Sequence, residues 1–376
     1  MIRDLTDDQA RAALPLKWEV DPGVLPAWVA EMDLRLAEPI EEALVAAVRR
    51  GAVGYPPHGD GVGTAFAGFA ERHWSWQVPA EASVPAGGVM SGIRLALEAL
   101  CPPGPVVVPQ PCYPPFRDVV AVTGRELATV DLDPDADTAT MDLDAIEAAF
   151  VAGARTFLLC NPHNPLGRVW TRDELESLAD LAQRHGVRVV SDEIHAPLTL
   201  PGATFTPYLA VDETAVAVTS PSKSFNMPGV HGAQLVVLDP ELRARAAALP
   251  IPAQNSWSSL GVVASEVAWR DCDEWLAALV ERLDGNRALL AERLATDLPR
   301  ARMRPLEATY LAWLDLRAYG VADPASAAVR HGLRPAPGSD YQPGLDGHVR
   351  LNLATSPARV EQMVHRLATA LTSGNS

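Results

Sequence analysis

The residue best suited to covalent chemistry is Lys223, which lies in a hydroxyl-rich stretch, TSPSKSFNMPG, at residues 219–229. An apolar run at residues 215–218 precedes it and is typical of a β-strand. A lysine just past a strand end, between small hydroxyl side chains, suits a Schiff base with an aldehyde cofactor that carries a phosphate. The alternative is an ordinary surface lysine in a serine-rich loop, which the stretch alone does not exclude.

Polar or aromatic side chains also follow three other apolar runs, and they are Tyr113, Asn164 and Asp192. Because ligands of open α/β sheets bind outside the carboxyl ends of the strands, we expect these side chains to meet Lys223. The carboxylate would hold a pyridine nitrogen protonated, the amide would bond a ring hydroxyl and the aromatic ring would stack. Together they predict pyridoxal 5'-phosphate (PLP) as the cofactor, with helix capping as the alternative role of the acid.

A glycine-rich stretch, PAGGVMSG at residues 85–92, leads into an apolar helical pattern at 93–100. Free backbone N–H groups at a helix start form a natural anion site, so this stretch is a candidate phosphate cradle. Such turns are frequent between elements. The prediction therefore depends on the neighbouring hydroxyls and Lys223.

Strands and helices alternate through the middle of the chain. Continuous apolar runs predict strands covered on both faces at residues 106–108, 156–159, 187–190, 215–218 and 235–238. Helical patterns are predicted at residues 39–50, 143–150 and 173–181. This alternation predicts an α/β domain with a mostly parallel central sheet.

The C-terminal part differs, because residues 255–298 form a nearly continuous helical pattern. Strand-like runs at 310–316 and 349–353 follow, near a final helix. These elements and the N-terminal arm predict a smaller α+β domain packed beside the sheet. The expected boundaries are 1–45 for the arm with part of the small domain, 46–284 for the large cofactor-binding domain and 285–376 for the small C-terminal domain.

Composition narrows the class of partner. A formal net charge of -16 without a basic stripe argues against nucleic acid or an anionic membrane surface, so small-molecule chemistry is favoured. No leader-like or membrane-spanning pattern is evident, so a cytoplasmic protein is expected. The four cysteines lack paired spacing, which argues against a zinc site or a disulfide framework, and no metal is expected.

Four motifs in order now resemble a known family: NPHNPLG at 161–167, SDEIH at 191–195, SKSFNMPG at 222–229 and RLN at 350–352. They are similar to those of fold-type I PLP enzymes of the class I/II aminotransferase superfamily, which implies its large and small domains. The finer resemblance is to the MalY/PatB-type C–S β-lyases, or cystathionine β-lyases. It depends on WVAEMD at 28–33, on a histidine where aminotransferases usually carry tyrosine, and on Asn226.

The resemblance implies roles around the cofactor. Lys223 would carry PLP as a Schiff base and act as the base, while Asp192 would face the pyridinium nitrogen. The other implied contacts are Asn164 and His195 at the ring hydroxyl, Tyr113 on the ring face, and, at the phosphate, the backbone amides of Val89 and Met90 with Ser220 and Ser222. Simple packing is the alternative for His195.

Other implied roles concern the substrate and a second subunit. Arg350 would clamp the substrate α-carboxylate with its planar fork, and an ordinary exposed strand residue is the alternative. Tyr55 would reach across the interface of a homodimer into the partner's site, although a Gly-Tyr-Pro turn also forms for local reasons. Many family members carry arginine eight residues after the lysine. This chain has His231 there, so a less positive cradle is expected.

The resemblance therefore implies a PLP-dependent C–S β-lyase that eliminates L-cystathionine or a related cysteine S-conjugate to thiol, pyruvate and ammonia. A class I/II aminotransferase is the first alternative, because transamination shares every step up to the substrate carbanion. A non-catalytic PLP-binding regulator is the second. The retained Lys223, Asp192 and Arg350 argue against it.

Overall fold

The structure is a computed structural model that describes residues 2–56, 59–133, 137–249 and 257–372. Its strands, in chain order, are β1 (Leu25–Ala27), β2 (Ser83–Ala86), β3 (Val106–Gln110), β4 (Leu127–Asp131), β5 (Thr156–Cys160), β6 (Arg188–Asp192), β7 (Val216–Thr219), β8 (Ala233–Val236), β9 (Arg302–Met303), β10 (Leu311–Asp315), β11 (Leu333–Pro337) and β12 (His348–Asn352).

The α-helices within these ranges are α1 (Asp7–Ala13), α2 (Glu38–Arg49), α3 (Gly61–Trp74), α4 (Val89–Leu95), α5 (Pro115–Val122), α6 (Leu143–Val151), α7 (Arg172–His185), α8 (Pro240–Ala247), α9 (Ser259–Asp271), α10 (Asp273–Asp297), α11 (Pro324–Arg330) and α12 (Pro357–Thr372). A π-helical turn, Ala96–Leu100, continues α4.

The large sheet has seven strands in the order β2-β8-β7-β6-β5-β3-β4. The five strands from β7 to β4 are parallel, and β8 is antiparallel to both of its neighbours. Alternate residues of β3 point to different cores, since Val107 belongs to one hydrophobic cluster and Val106 and Val108 to another. The prediction of a mostly parallel sheet buried on both faces is confirmed.

The small sheet has the order β1-β11-β12-β10-β9 and is antiparallel except for the β1–β11 pair. Its first strand comes from the N-terminal arm and its other four from the C-terminal part, as predicted for the smaller α+β domain. The expected boundary at 284/285 falls inside the continuous helix α10. Both domain boundaries, at 45/46 and 284/285, stay predictions.

Two features differ from the sequence expectation. Strands β1, β2, β4, β9 and β11 were not predicted, because β1 and β9 have only three and two residues, β4 is half exposed at the sheet edge, and β2 and β11 contain proline. The helical pattern at 255–298 is interrupted at Cys272, whose backbone (φ -115°, ψ 18°) is not helical, so α9 and α10 are separate helices. Residues 255 and 256 of that pattern lie outside the described ranges.

Candidate active site

A cavity of about 620 Å³ opens at the carboxyl ends of the parallel strands. Ten predicted site residues line it together: Val89, Met90, Tyr113, Asn164, Asp192, His195, Ser220, Ser222, Lys223 and Arg350. The volume lies in the range typical of small-molecule sites. Their roles toward a cofactor or substrate stay predictions.

Lys223 follows β7 and extends its amine into the cavity, where Nζ donates a hydrogen bond to the Ala30 carbonyl oxygen at 2.9 Å. Burial and then the charge of Arg350 lower the pKa of this amine, to about 8, while Glu31 and Asp192 act in the opposite direction. A substantial fraction of the amine is therefore neutral and nucleophilic in mildly alkaline solution.

Asp192 is the last residue of β6 and is buried. Its Oδ1 accepts a hydrogen bond from the backbone N–H of Ile194 at 3.1 Å. Burial raises the pKa of this carboxyl to about 7, although that hydrogen bond and the charge of Lys223 act to lower it. A cationic N–H donor in the cavity would favour the ionised form, which is what a protonated pyridine nitrogen provides.

Arg350 reaches the cavity from β12 of the small sheet. Its two Nη atoms donate to Asn164 Oδ1 at 3.1 Å and to the Trp28 carbonyl oxygen at 2.7 Å. Its buried Nε has no hydrogen-bond partner among the described residues. The guanidinium also lies 5.0 Å from the ring centroid of Tyr341, which lines the cavity. The cation is thus held in place with a donor still available.

The candidate phosphate cradle lies where Gly87 and Gly88 lead into α4. The hydroxyl of Ser220 donates to the Gly232 carbonyl oxygen at 2.6 Å and accepts from the Ser222 N–H at 3.1 Å. The Ser220 proton is therefore directed to the backbone in this structure. Backbone N–H groups at the start of α4 and the Ser222 hydroxyl are the candidate phosphate donors.

His231 also lines the cavity, and its Nδ1 lies 3.1 Å from the Gly87 carbonyl oxygen. A carbonyl oxygen only accepts, so Nδ1 donates in this hydrogen bond. Its backbone adopts a left-handed conformation at φ +51°. The histidine that replaces the expected arginine is thus beside the cradle.

His195 lies deep in the cavity wall, and its buried Nδ1 has no hydrogen-bond partner in the described part of the chain. Burial, with the charges of Lys223 and Arg350, lowers the pKa of this imidazole to about 3. The ring is therefore neutral at physiological pH. It can serve a ligand hydroxyl without adding charge.

An irregular segment that we call the strap, residues 28–34, forms part of the cavity wall. Besides Lys223, the hydroxyl of Tyr310 donates to the Ala30 carbonyl oxygen, at 3.0 Å. Trp28, Val29, Ala30 and Glu31 of the strap line the cavity. Neither this carbonyl nor Tyr310 was predicted as a site group, because backbone partners leave no residue-type signal.

Two buried asparagines fix the strap. Asn352 Nδ2 donates to the carbonyl oxygens of Val29 and Glu31, both at 2.6 Å. Asn226 Nδ2 donates to the carbonyl oxygens of Met32 and Leu34, and its Oδ1 accepts from the Met32 N–H. The motif residues Asn226 and Asn352 thus hold backbone in position.

A buried ion pair lies behind the strap. Lys17 Nζ lies 2.8 Å from Asp33 Oδ1, and both side chains are fully buried. The same amine donates to the Glu31 carbonyl oxygen at 3.0 Å, and Trp18 Nε1 donates to Asp33 Oδ1 at 2.9 Å. The pair ties the strap to the arm before it.

Tyr55 is the predicted site residue that does not reach the cavity of its own chain. Its side chain is fully exposed. The apolar side chains of Leu16, Val48 and Val53 are also more than half exposed, and Leu16 lines the cavity mouth.

The four cysteines are buried and free, and no cluster of metal-ligating side chains occurs in residues 2–56, 59–133, 137–249 or 257–372. Across those same ranges no helix has the length and apolar character needed to span a membrane. The polar groups that line the cavity are a buried acid, an amine, an amide, a neutral imidazole and a helix start. This set fits a flat heteroaromatic aldehyde that carries a phosphate.

Residues 34–367 match the family model described as Aminotransferase class I and II. A Mycobacterium tuberculosis (strain H37Rv) protein, described as a candidate cystathionine beta-lyase, is 40% identical over 98% of each chain. Cystathionine beta-lyase PatB of Bacillus subtilis (strain 168) is 34% identical over 92% of each chain. The crystal structure of a candidate PLP-dependent beta-cystathionase from Corynebacterium diphtheriae superposes with a TM-score of 0.93, at 33% identity over 99% of each chain.

Proposed function

The chain belongs to the family of class I and II aminotransferases, and from that premise we propose that it is a PLP-dependent carbon–sulfur β-lyase. It cleaves L-cystathionine, or a related cysteine S-conjugate, with one water into a thiol, pyruvate and ammonia. The observation that carries the proposal is the convergence of the Lys223 amine, the Asp192 carboxyl and the Arg350 guanidinium on one cavity. The lyase names of the similar proteins favour elimination over transamination.

The cofactor contacts follow from the donor set. Asp192 would hold the ring nitrogen, Asn164 and His195 would bind the ring hydroxyl, and Tyr113 would stack on the ring. The phosphate would be bound by the backbone N–H groups of Val89 and Met90 and by Ser220 and Ser222. When bound, PLP supplies a conjugated ring that accepts the electron pair left at the substrate α-carbon.

The chain's own groups bind the substrate and move its proton. Arg350 pairs with the α-carboxylate, for which its unpartnered Nε and fixed guanidinium plane are suited. Lys223, once freed, takes the α-proton at Nζ, and the Ala30 carbonyl accepts a hydrogen bond from the resulting ammonium. Burial of both groups excludes water from the reacting atoms.

The active form is proposed to be a homodimer in which Tyr55 of each subunit enters the partner's site. The exposure of Tyr55, Val53 and Leu16, with Leu16 at the cavity mouth, supports this proposal. Exposed apolar side chains that are grouped on a surface mark protein interfaces, and Val53 and Tyr55 are neighbours in the chain. A cytoplasmic location also stays a prediction.

The test is to incubate purified protein with L-cystathionine and no keto acid, and to assay free thiol and pyruvate. Equal amounts of both are expected. Products that form only after a keto acid is added would favour an aminotransferase. Bound cofactor without either product would favour a regulator.

A further inference from the structure

Glu31 brings to the cavity a carboxylate that none of the roles above uses. The residue lines the cavity, and its buried Oε2 has no hydrogen-bond partner among the described residues. No lysine or arginine nitrogen of those residues lies within ion-pair distance of it. A carboxylate oxygen that loses water without gaining a partner costs free energy, so a ligand that supplies a cation would be stabilised there.

The position of Glu31 is fixed by its backbone. Its carbonyl oxygen accepts hydrogen bonds from Lys17 Nζ at 3.0 Å and from Asn352 Nδ2 at 2.6 Å. The preceding carbonyl, of Ala30, accepts from Lys223 and Tyr310. Because the backbone is held on both sides, Glu31 keeps its place in the cavity wall.

The cations already in the cavity have other partners. Arg350 donates to Asn164 and to the Trp28 carbonyl, and Lys223 donates to the Ala30 carbonyl. The charge of Glu31 acts to raise the pKa of Lys223, so the carboxylate lies within electrostatic reach of the reacting end of the cavity. A substrate bound in the cavity would therefore lie beside a negative charge carried by the strap.

We propose that Glu31 binds an ammonium group at the far end of the sulfur substituent, and so selects cysteine S-conjugates that carry a second amine. The inference rests on the proposed function and narrows its substrate class. L-Cystathionine has such an ammonium, whereas simple S-alkyl cysteines do not. In the proposed function, Arg350 binds the α-carboxylate of the substrate, and the substrate's α-amino group lies at the position of Lys223.

The first test compares kcat/KM for L-cystathionine with kcat/KM for S-ethyl-L-cysteine, in the wild type and in Glu31→Gln. The ratio of the two is expected to fall about 10- to 100-fold in the variant, mainly through KM for cystathionine, because a charge-assisted hydrogen bond is lost. Glu31→Asp, which keeps the charge, is expected to retain part of the selectivity. Glu213→Gln makes the same chemical change at an exposed turn and should leave the ratio unchanged.

The second test does not depend on elimination and compares competitive inhibition by L-lysine and by L-norleucine. L-Lysine is expected to lose its advantage over L-norleucine in Glu31→Gln. Melting temperature and bound-cofactor absorbance verify that each variant is folded, and Glu31→Asp provides both ratios if Glu31→Gln does not fold.

An equal loss of kcat/KM for both substrates, with both inhibition constants changed alike, would overturn the inference. Glu31 would then act on the Lys223 amine and not on the substrate. Unchanged ratios would also overturn it. Failure of the proposed function is distinguishable, since then the wild type would release thiol from neither substrate without a keto acid.

Discussion

Burial shifts the pKa values of the acid and the amine of the cavity in opposite directions. It raises the pKa of Asp192 to about 7 and lowers the pKa of Lys223 to about 8, so both groups lose charge relative to water. A bound ligand that pairs with the acid and consumes the amine relieves both costs. The protein is therefore less stable with this site empty than with such a ligand bound.

Asp192→Asn is expected to stabilise the cofactor-free protein while weakening cofactor binding. The folded pKa of about 7 is above the usual carboxyl value of 3.8, so the folded state keeps a proton that the unfolded chain has lost. This contribution to stability is complete below about pH 4 and is lost as pH rises to about 7. Asparagine cannot ionise, so the free energy of unfolding should exceed the wild-type value by up to roughly 4 kcal/mol above that range.

Urea denaturation of the cofactor-free protein near pH 5 and near pH 8 measures this difference, which should grow with pH. Asp212→Asn, a buried acid away from the cavity, is the matched control. An Asp192→Asn protein that is no more stable than the wild type at the higher pH would contradict the argument.

Residue types could be predicted from sequence where a polar side chain directly follows an apolar run, as at Asp192 and Lys223. Other parts of the site could not. The partner of Lys223 in this structure is the Ala30 carbonyl, and every residue has a carbonyl. The unpartnered state of Glu31 depends on what surrounds it in space, which no local pattern records.

At the scale of elements, the strap is held by a buried charge pair. Asp33→Ala would leave the Lys17 ammonium buried without its carboxylate and remove the acceptor of Trp18 Nε1. We expect this change to lower the free energy of unfolding by about 3–5 kcal/mol. KM for the substrate should also rise, because the strap carries the Trp28 carbonyl that binds Arg350.

The double variant Lys17→Met with Asp33→Leu removes both charges and is the control. It should recover much of the lost stability, since no isolated charge remains buried. Chemical denaturation and steady-state kinetics measure the two effects. A single variant as stable as the wild type would contradict the assigned role of the pair.

Elements were predictable in proportion to their burial. Strands β3, β5, β6 and β7 are buried on both faces and appear in the sequence as continuous apolar runs. Strand β4 is half exposed and β1 is short, so neither gives such a run. Helical periodicity also continued across Cys272, because flanking residues on both sides have helical patterns and a single-residue change of direction does not alter them.

For the whole molecule, the proposed exchange of Tyr55 between subunits predicts complementation. Tyr55→Ala and Lys223→Ala are each expected to lose activity as pure dimers. In a mixed dimer, one site would combine Lys223 of one chain with Tyr55 of the other and so be intact. Random mixing makes half of the dimers mixed, with one good site each, so about a quarter of wild-type activity should return.

Co-purification through two different affinity tags isolates the mixed dimer for assay, and size-exclusion chromatography establishes its mass. A monomeric wild type, or a mixed dimer as inactive as its parents, would contradict the proposed exchange of Tyr55. Mixing two separate preparations of Lys223→Ala is the control and should restore nothing.

The overall architecture could be predicted because four motifs occur in a fixed order along the chain. Pairing across distant segments could not. Strand β1 joins the small sheet beside β11, some three hundred residues away, with Leu25 aligned to Leu333. Such a pairing depends on the folded shape of both domains, and a three-residue strand carries too little pattern to predict it.

The strap has a practical consequence for anyone who shortens or tags this protein. The family match begins at residue 34, so a chain trimmed to that match would retain the large sheet, four strands of the small sheet and every motif after the strap. It would nevertheless lack the Ala30 carbonyl, the Trp28 carbonyl and Glu31. The family model therefore begins downstream of residues that line the cavity, and cloning boundaries should be chosen upstream of Lys17.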